Sequence, residues 1–225
     1  MGTITRALAN NITTGGVISA SGISNTSVSA VTSLPSGVDV GDLVLISEQT
    51  ASADASLSFT SGLDSTYDVY CFRMFDIHGS SDGQLFTFQG STDGGSNYNT
   101  TITSTMFESY HNEGDDTAAI AYQANGDQGN GTAFQRLSNS CGADNDQSLV
   151  TELFLYRPDS TTQVKHFMCR TQHYNDNNYS MDVSVAGYFN TTSAINAIQF
   201  KFGSGNIDAG TIKLFGVRDV TTAGI

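Results

Sequence analysis

Tyr67-Asp68-Val69-Tyr70-Cys71-Phe72-Arg73-Met74-Phe75-Asp76-Ile77, stopped by Gly79-Ser80-Ser81-Asp82-Gly83, is the stretch on which the fold turns. An aromatic-rich apolar run that ends in a Gly/Ser/Asp cluster reads as a β-strand followed by a turn. The same alternation of run and breaker continues along the chain. It predicts strands at 67–77, 84–90, 99–110, 117–123, 132–138, 148–157, 163–173, 181–189, 195–202 and 210–217. Further breakers stand at Asp93-Gly94-Gly95, Glu113-Gly114-Asp115-Asp116, Gly142-Ala143-Asp144-Asn145-Asp146 and Gly203-Ser204-Gly205-Asn206. Strands at this spacing predict an all-β chain folded as an antiparallel β-sandwich over residues 51–225. Ser193–Ala197 is the one helix-like run.

Two of these strands are apolar on both faces. In 67–77, Tyr70, Phe72 and Met74 share one face, while Val69, Cys71, Phe75 and Ile77 share the other, interrupted by Arg73. Leu153-Phe154-Leu155-Tyr156 behaves likewise. An antiparallel sandwich strand normally keeps one wet face, so a doubly apolar strand needs cover on both sides. A homo-oligomer with the outer sheet face packed across a symmetry axis would supply it.

Residues 1–50 have a different character. Between Arg6 and Asp39 there is no charge, only small polar residues punctuated by Ile12, Val17, Ile18, Ile23, Val28 and Val31. Too few large side chains are present for a separate core, so this segment is expected to be an extended arm for attachment or oligomerisation. Leu34-Pro35-Ser36-Gly37 reads as a turn and Asp42–Ser47 as a short buried strand at its end.

Composition narrows the function. The chain has 225 residues, of which 14% are charged, and it contains no Trp. Polarity comes instead from Ser, Thr, Asn and Gly, which are poor helix formers, so a helical bundle is excluded. The formal charge is −13, from nine basic and 22 acidic residues. Nucleic acid and anionic membrane need clustered Lys and Arg, so neither is an expected partner. An acidic surface suits dense display in solution. The cysteines, Cys71, Cys141 and Cys169, form no C-x-x-C pair and predict buried free thiols, with folding in a reducing cytoplasm. No signal peptide or membrane span is read, so release by lysis rather than secretion is expected.

Catalytic and metal signatures are weak. Asp144-Asn145-Asp146 opens like a calcium loop, but Leu149 and Leu155 occupy the positions of its glycine and glutamate. A looser set from Asp93, Asn97, Asp144 and Asp146 is explained equally well by Asx turns. His166, Cys169 and His173 resemble zinc ligands on paper, but His166 and Cys169 fall on opposite faces of one strand. Glu108 and Glu152 are the only strand-borne carboxylates that invite a glycosidase reading. No Gly-x-Ser-x-Gly or phosphate-binding Gly-rich loop occurs. The expectation is therefore no catalytic residue, no metal and no cofactor. For sugar binding, Tyr174-Asn175-Asp176-Asn177-Asn178-Tyr179 offers two aromatic rims with amides and a carboxylate between them. Tyr110 and His111 are placed to contribute.

One resemblance spans about 70% of the chain. It is carried by Ser65-Thr66-Tyr67-Asp68-Val69-Tyr70 with Ile77-His78, by Asp93-Gly94-Gly95-Ser96-Asn97-Tyr98, and by Asp144-Asn145-Asp146. Val164-Lys165-His166-Phe167 and Asn190-Thr191-Thr192-Ser193-Ala194 extend it. The most specific piece is the ending, Ile198-Gln199-Phe200-Lys201-Phe202, Ser204-Gly205-Asn206-Ile207 and Gly210-Thr211-Ile212-Lys213-Leu214-Phe215-Gly216. These pieces resemble jelly-roll proteins on the virion surface of marine tailed bacteriophages. The resemblance implies a jelly-roll-like sandwich with an extended N-terminal arm, usually trimeric. It further implies a non-enzymatic structural protein on the phage exterior, without separating head from tail; the short chain and its lack of fibre repeats favour a homotrimeric capsid decoration or head-fibre protein. Its expected partners are itself and the major capsid protein or another virion structural protein. The expected location is the virion surface, after synthesis in the host cytoplasm. The alternative is a tail-fibre receptor-binding module for host surface glycan.

Overall fold

The computed structural model describes residues 43–218. Among these the chain forms twelve strands and no helix. They are β1 (Leu43–Thr50), β2 (Leu57–Phe59), β3 (Val69–Gly79), β4 (Phe86–Ser91), β5 (Ile102–Asn112), β6 (Ala118–Tyr122), β7 (Gln135–Arg136), β8 (Leu149–Tyr156), β9 (Lys165–Tyr174), β10 (Tyr179–Phe189), β11 (Ala197–Phe202) and β12 (Ile207–Val217). Every pairing is antiparallel. An eight-stranded sheet, β1-β12-β3-β8-β9-β10-β5-β6, packs on a four-stranded sheet, β2-β11-β4-β7, so the chain is an all-β antiparallel sandwich. With the β5–β6 and β9–β10 hairpins set aside, two four-stranded sheets remain, in the orders β1-β12-β3-β8 and β2-β11-β4-β7. The two hairpins prolong the first of these beyond β8.

Period-two burial shows why these residues form strands. In β9, Lys165, Phe167, Cys169, Thr171 and His173 turn inward, while His166, Met168, Arg170 and Gln172 turn outward. Between the sheets the core is aromatic. Phe72 of the large sheet meets Phe59 and Phe200 of the small one at ring distances of 5.3 and 5.2 Å, and Phe88 meets Phe167 at 5.1 Å, all edge-on. Edge-to-face pairs of this kind add about 0.5–1.5 kcal/mol each beyond burial alone. Gly90 lets Phe189 lie against the small sheet, since a Cβ there would sit 2.8 Å from the ring.

Several expectations are corrected in detail. Asp76 adopts a positive φ of 52° and forms a bulge between Met74 and Ile77. The extra residue reverses the alternation, so Ile77 joins Tyr70, Phe72 and Met74 in the core rather than Phe75 outside. Ser193–Ala197 is extended, not helical, and its Ile195 is buried in the core. The three-residue β2 was absent from the strand reading. Asp42–Ser47, expected as a buried strand of the N-terminal segment, corresponds to β1. It is a half-buried edge strand hydrogen-bonded to β12, so Leu43–Thr50 belongs to the sandwich, ahead of the expected start at residue 51. The arm residues Ile12, Val17, Ile18, Ile23, Val28 and Val31 lie outside the described residues.

Candidate interaction surface

The outward face of the large sheet is the most distinctive surface of the described chain. Strand register aligns its outward residues into rows that cross the sheet. One row runs Leu45, Phe215, Cys71, Phe154, Met168, Ala186, Thr105 from β1 to β5. The next runs Glu48, Lys213, Arg73, Glu152, Arg170, Ser184, Phe107, Tyr122 from β1 to β6. Among the described residues seven large apolar side chains are exposed, and all point outward from this sheet: Leu45, Phe75, Phe107, Ile120, Tyr122, Val150 and Met168. Exposure is high for several of them, 55% for Met168 and 81% for Ile120.

The charges among them are satisfied locally. Arg73 Nε lies 2.8 Å from Glu152 Oε1, and Lys213 Nζ lies 2.9 Å from Glu48 Oε2. Arg170 grips Asp182 with two bonds, Nε to Oδ1 at 2.9 Å and Nη2 to Oδ2 at 2.7 Å. That fork holds the Asp182 carboxyl below its ordinary pKa. Three cations and three carboxylates therefore cancel along the centre of the face, on a chain whose formal charge is −13. Between the side chains lie shallow depressions. One, of about 440 Å³, has Ala186, Ser184 and Thr105 on its floor and Met168, Phe154 and Phe107 around it.

The residues proposed for sugar contact gather at one end of the β5, β9 and β10 strands but divide between the two faces. Tyr110 and Tyr179 stand on the inward side with rings 5.6 Å apart. His111 and Tyr174 stand on the outward side, where Tyr174 Oη is 3.0 Å from Glu113 Oε1 and 3.1 Å from Asn178 Oδ1. His111 Nε2 lies 3.1 Å from Asp115 Oδ1. Together with Glu113, Gln172 and Ser180, these two border a polar cleft of about 300 Å³. Asn175 is buried, and its Oδ1 accepts the backbone N–H groups of Asn177 and Tyr179, both at 2.9 Å. It shapes the turn rather than facing solvent. Asp176 ties the same turn to the 138–141 segment, its N–H donating to Ser140 O at 3.1 Å. Tyr174 ends β9 and Tyr179 begins β10, so their faces follow from the register of the hairpin, in which Tyr174 pairs with Ser180, and their spacing in the sequence did not give it.

Inside the sandwich, sequence reasoning missed a buried polar cluster. The Glu108 carboxylate accepts Gln123 Nε2 at 2.6 Å and Asn139 Nδ2 at 3.1 Å, and Asn139 O accepts His173 Nε2 at 2.5 Å. His173 is fully buried and its Nδ1 has no partner. Burial drives its pKa down to about 4. Lys165 is also fully buried and donates to Gln163 O and Thr191 O at 3.0 and 3.1 Å, with burial lowering its pKa. No hydropathy pattern marks these residues, because each occupies an inward position otherwise filled by apolar side chains.

The chemistry weighed from sequence is constrained by this placement. Glu108 points inward from β5 and Glu152 outward from β8, with β9 and β10 between them, so they do not flank a common sugar. His166 lies outside and Cys169 and His173 inside the sheet. Asp93 is spent on its own turn, accepting from Ser91, Asn97 N and Asn97 Nδ2. Among the described residues, no three His, Cys, Asp or Glu side chains are grouped to hold a metal ion. Cys71, Cys141 and Cys169 are buried free thiols, each pushed up to about 11 chiefly by desolvation. Comparison with protein-family models, with curated proteins and with solved structures found no match to this chain.

Proposed function

We propose that this protein is a non-enzymatic structural protein of a phage virion surface, a homotrimeric jelly roll of the capsid-decoration or head-fibre kind. The observation that carries this reading is strand order. The sheet orders β1-β12-β3-β8 and β2-β11-β4-β7, with two extra hairpins widening only the first, are those a jelly roll would have and support this reading. The sequence pieces that most resemble virion proteins, Ile198–Phe202 and Gly210–Gly216, fall in β11 and β12, each of which is flanked by strands on both sides. The role is geometric. Residues 1–42 attach the protein to the major capsid protein or another virion component, and copy number multiplies weak contacts into firm attachment.

Immunogold labelling of intact virions with antibody against residues 57–217 tests this. Label over the head is the expected result, lost when residues 1–42 are deleted; absence of label anywhere on the particle overturns the reading. A second reading, a tail-fibre module that binds host glycan, draws on the cleft beside Tyr174, Glu113 and Gln172. Tail-tip label together with glycan-array binding that disappears in Tyr174→Ala would select it.

A further inference from the structure

The outward face of the large sheet fits one partner better than others, a second copy of this chain. Three observations bear on this. All seven exposed large apolar side chains of the described residues lie on that face. Its central charges cancel in the pairs Arg73–Glu152, Arg170–Asp182 and Lys213–Glu48. Its extent is also sufficient: eight strands at about 4.8 Å spacing, many of them about 30 Å long, present on the order of 1,100 Å², more than the roughly 800 Å² each partner buries in a standard interface.

We infer that copies of this chain associate through this face, with Phe107, Phe154 and Met168 buried between them. Charge selects the partner. Two molecules of −13 repel wherever their acidic surfaces meet, and the centre of this face is where that repulsion is absent. A basic partner would be drawn to the acidic remainder of the surface and would gain nothing from a neutral face. A sugar would need free donors and acceptors, but the six charged groups are already engaged with one another, and the row beside them, Leu45, Phe215, Cys71, Phe154, Met168, Ala186 and Thr105, is largely apolar. Burying the ion pairs at a subunit contact carries a desolvation cost, smaller than that of burying lone charges because each pair stays whole within its own chain; the apolar residues beside them supply the attraction. The inference deepens the self-association in the functional reading and rests on it.

Sedimentation equilibrium of the full chain at micromolar concentration tests both, separately. The wild type is expected at a whole multiple of 23.8 kDa. Phe107→Glu combined with Met168→Glu places unpaired carboxylates in the contact and is expected to raise the dissociation constant about a hundredfold or more. Both side chains are exposed in the single chain, so circular dichroism and the melting profile should stay those of a folded sandwich. Thr161→Glu combined with Gln163→Glu, two exposed loop residues carrying the same change in charge, should leave assembly intact. A monomeric wild type overturns the self-association itself. An assembled wild type with an equally assembled double variant overturns the face while leaving self-association standing. A monomeric wild type that binds a glycan array through Met168 and Phe107 would give the face to sugar and overturn it as well.

Discussion

Acidification from about pH 7 to about pH 5 should cost the folded protein about 2 kcal/mol through His173 alone. In the fold the imidazole donates Nε2–H to Asn139 O, and a second proton would have to sit on Nδ1, which faces no acceptor. Burial therefore takes the pKa from 6.5 to about 4. Between those values the unfolded chain binds a proton at His173 and the folded chain does not, so stability rises with pH. The contribution is complete above pH 6.5 and drains away as pH falls toward 4. At about pH 5 the unfolded imidazole is almost wholly protonated and the folded one about a tenth so, which gives the loss of about 2 kcal/mol. The assay is urea unfolding at fixed protein concentration across this range, comparing wild type with His173→Gln, which retains an amide donor for Asn139 O and cannot titrate. The carboxyls held below their ordinary values by hydrogen bonds, Asp64, Asp93, Asp116 and Asp182, titrate lower and leave this window clear. The stability advantage of wild type over the variant should shrink by about 2 kcal/mol with unchanged denaturant slope. Equal pH slopes in both proteins would refute the assignment.

Three further outcomes follow from the packing. Gly90→Ala forces a methyl to 2.8 Å from the Phe189 ring and 3.2 Å from Ile195, and should cost about 1–3 kcal/mol in a thermal melt. Arg170→Ala breaks a two-bond pair that is largely solvent-exposed on the arginine side in the single chain and covered in the inferred assembly, so it should cost under about 1 kcal/mol in urea unfolding of the dissociated protein and more in the assembled one; an equally small loss in both would place the pair outside the contact. The three thiols, buried and raised to about 11, should resist a thiol reagent at neutral pH in the native protein and react fully in denaturant.

Strand positions were legible because period-two alternation and Gly/Asp breakers are local properties. What escaped the sequence is what depends on register. The bulge at Asp76 could not be read, since nothing in Phe75-Asp76-Ile77 announces a positive φ, and one extra residue moved Ile77 from one face to the other. β2 has only Leu57-Ser58-Phe59, too short for alternation to rise above chance, and it exists because β11 offers it an edge. Asn175, read as a sugar contact, is held by its own turn, where an Asn side chain competes successfully for backbone donors.

The outward face shows the same limit in a form that matters for function. The sequence already contained its ingredients, apolar residues on both faces of 67–77 and of Leu153–Tyr156, and isolated charges at Glu48, Arg73, Glu152, Arg170 and Lys213. Read one strand at a time, Arg73 interrupts an apolar run and Glu152 looks like a catalytic carboxylate. Only when β1, β12, β3, β8 and β9 are laid side by side do these residues become one row, each beside an opposite charge, with a row of Leu45, Phe215, Phe154 and Met168 next to it. The charged residues in those strands then lose their independent meaning. Together with Asp182 of β10, the partner of Arg170, they neutralise one another and leave the apolar side chains as the property of this face that another molecule would meet.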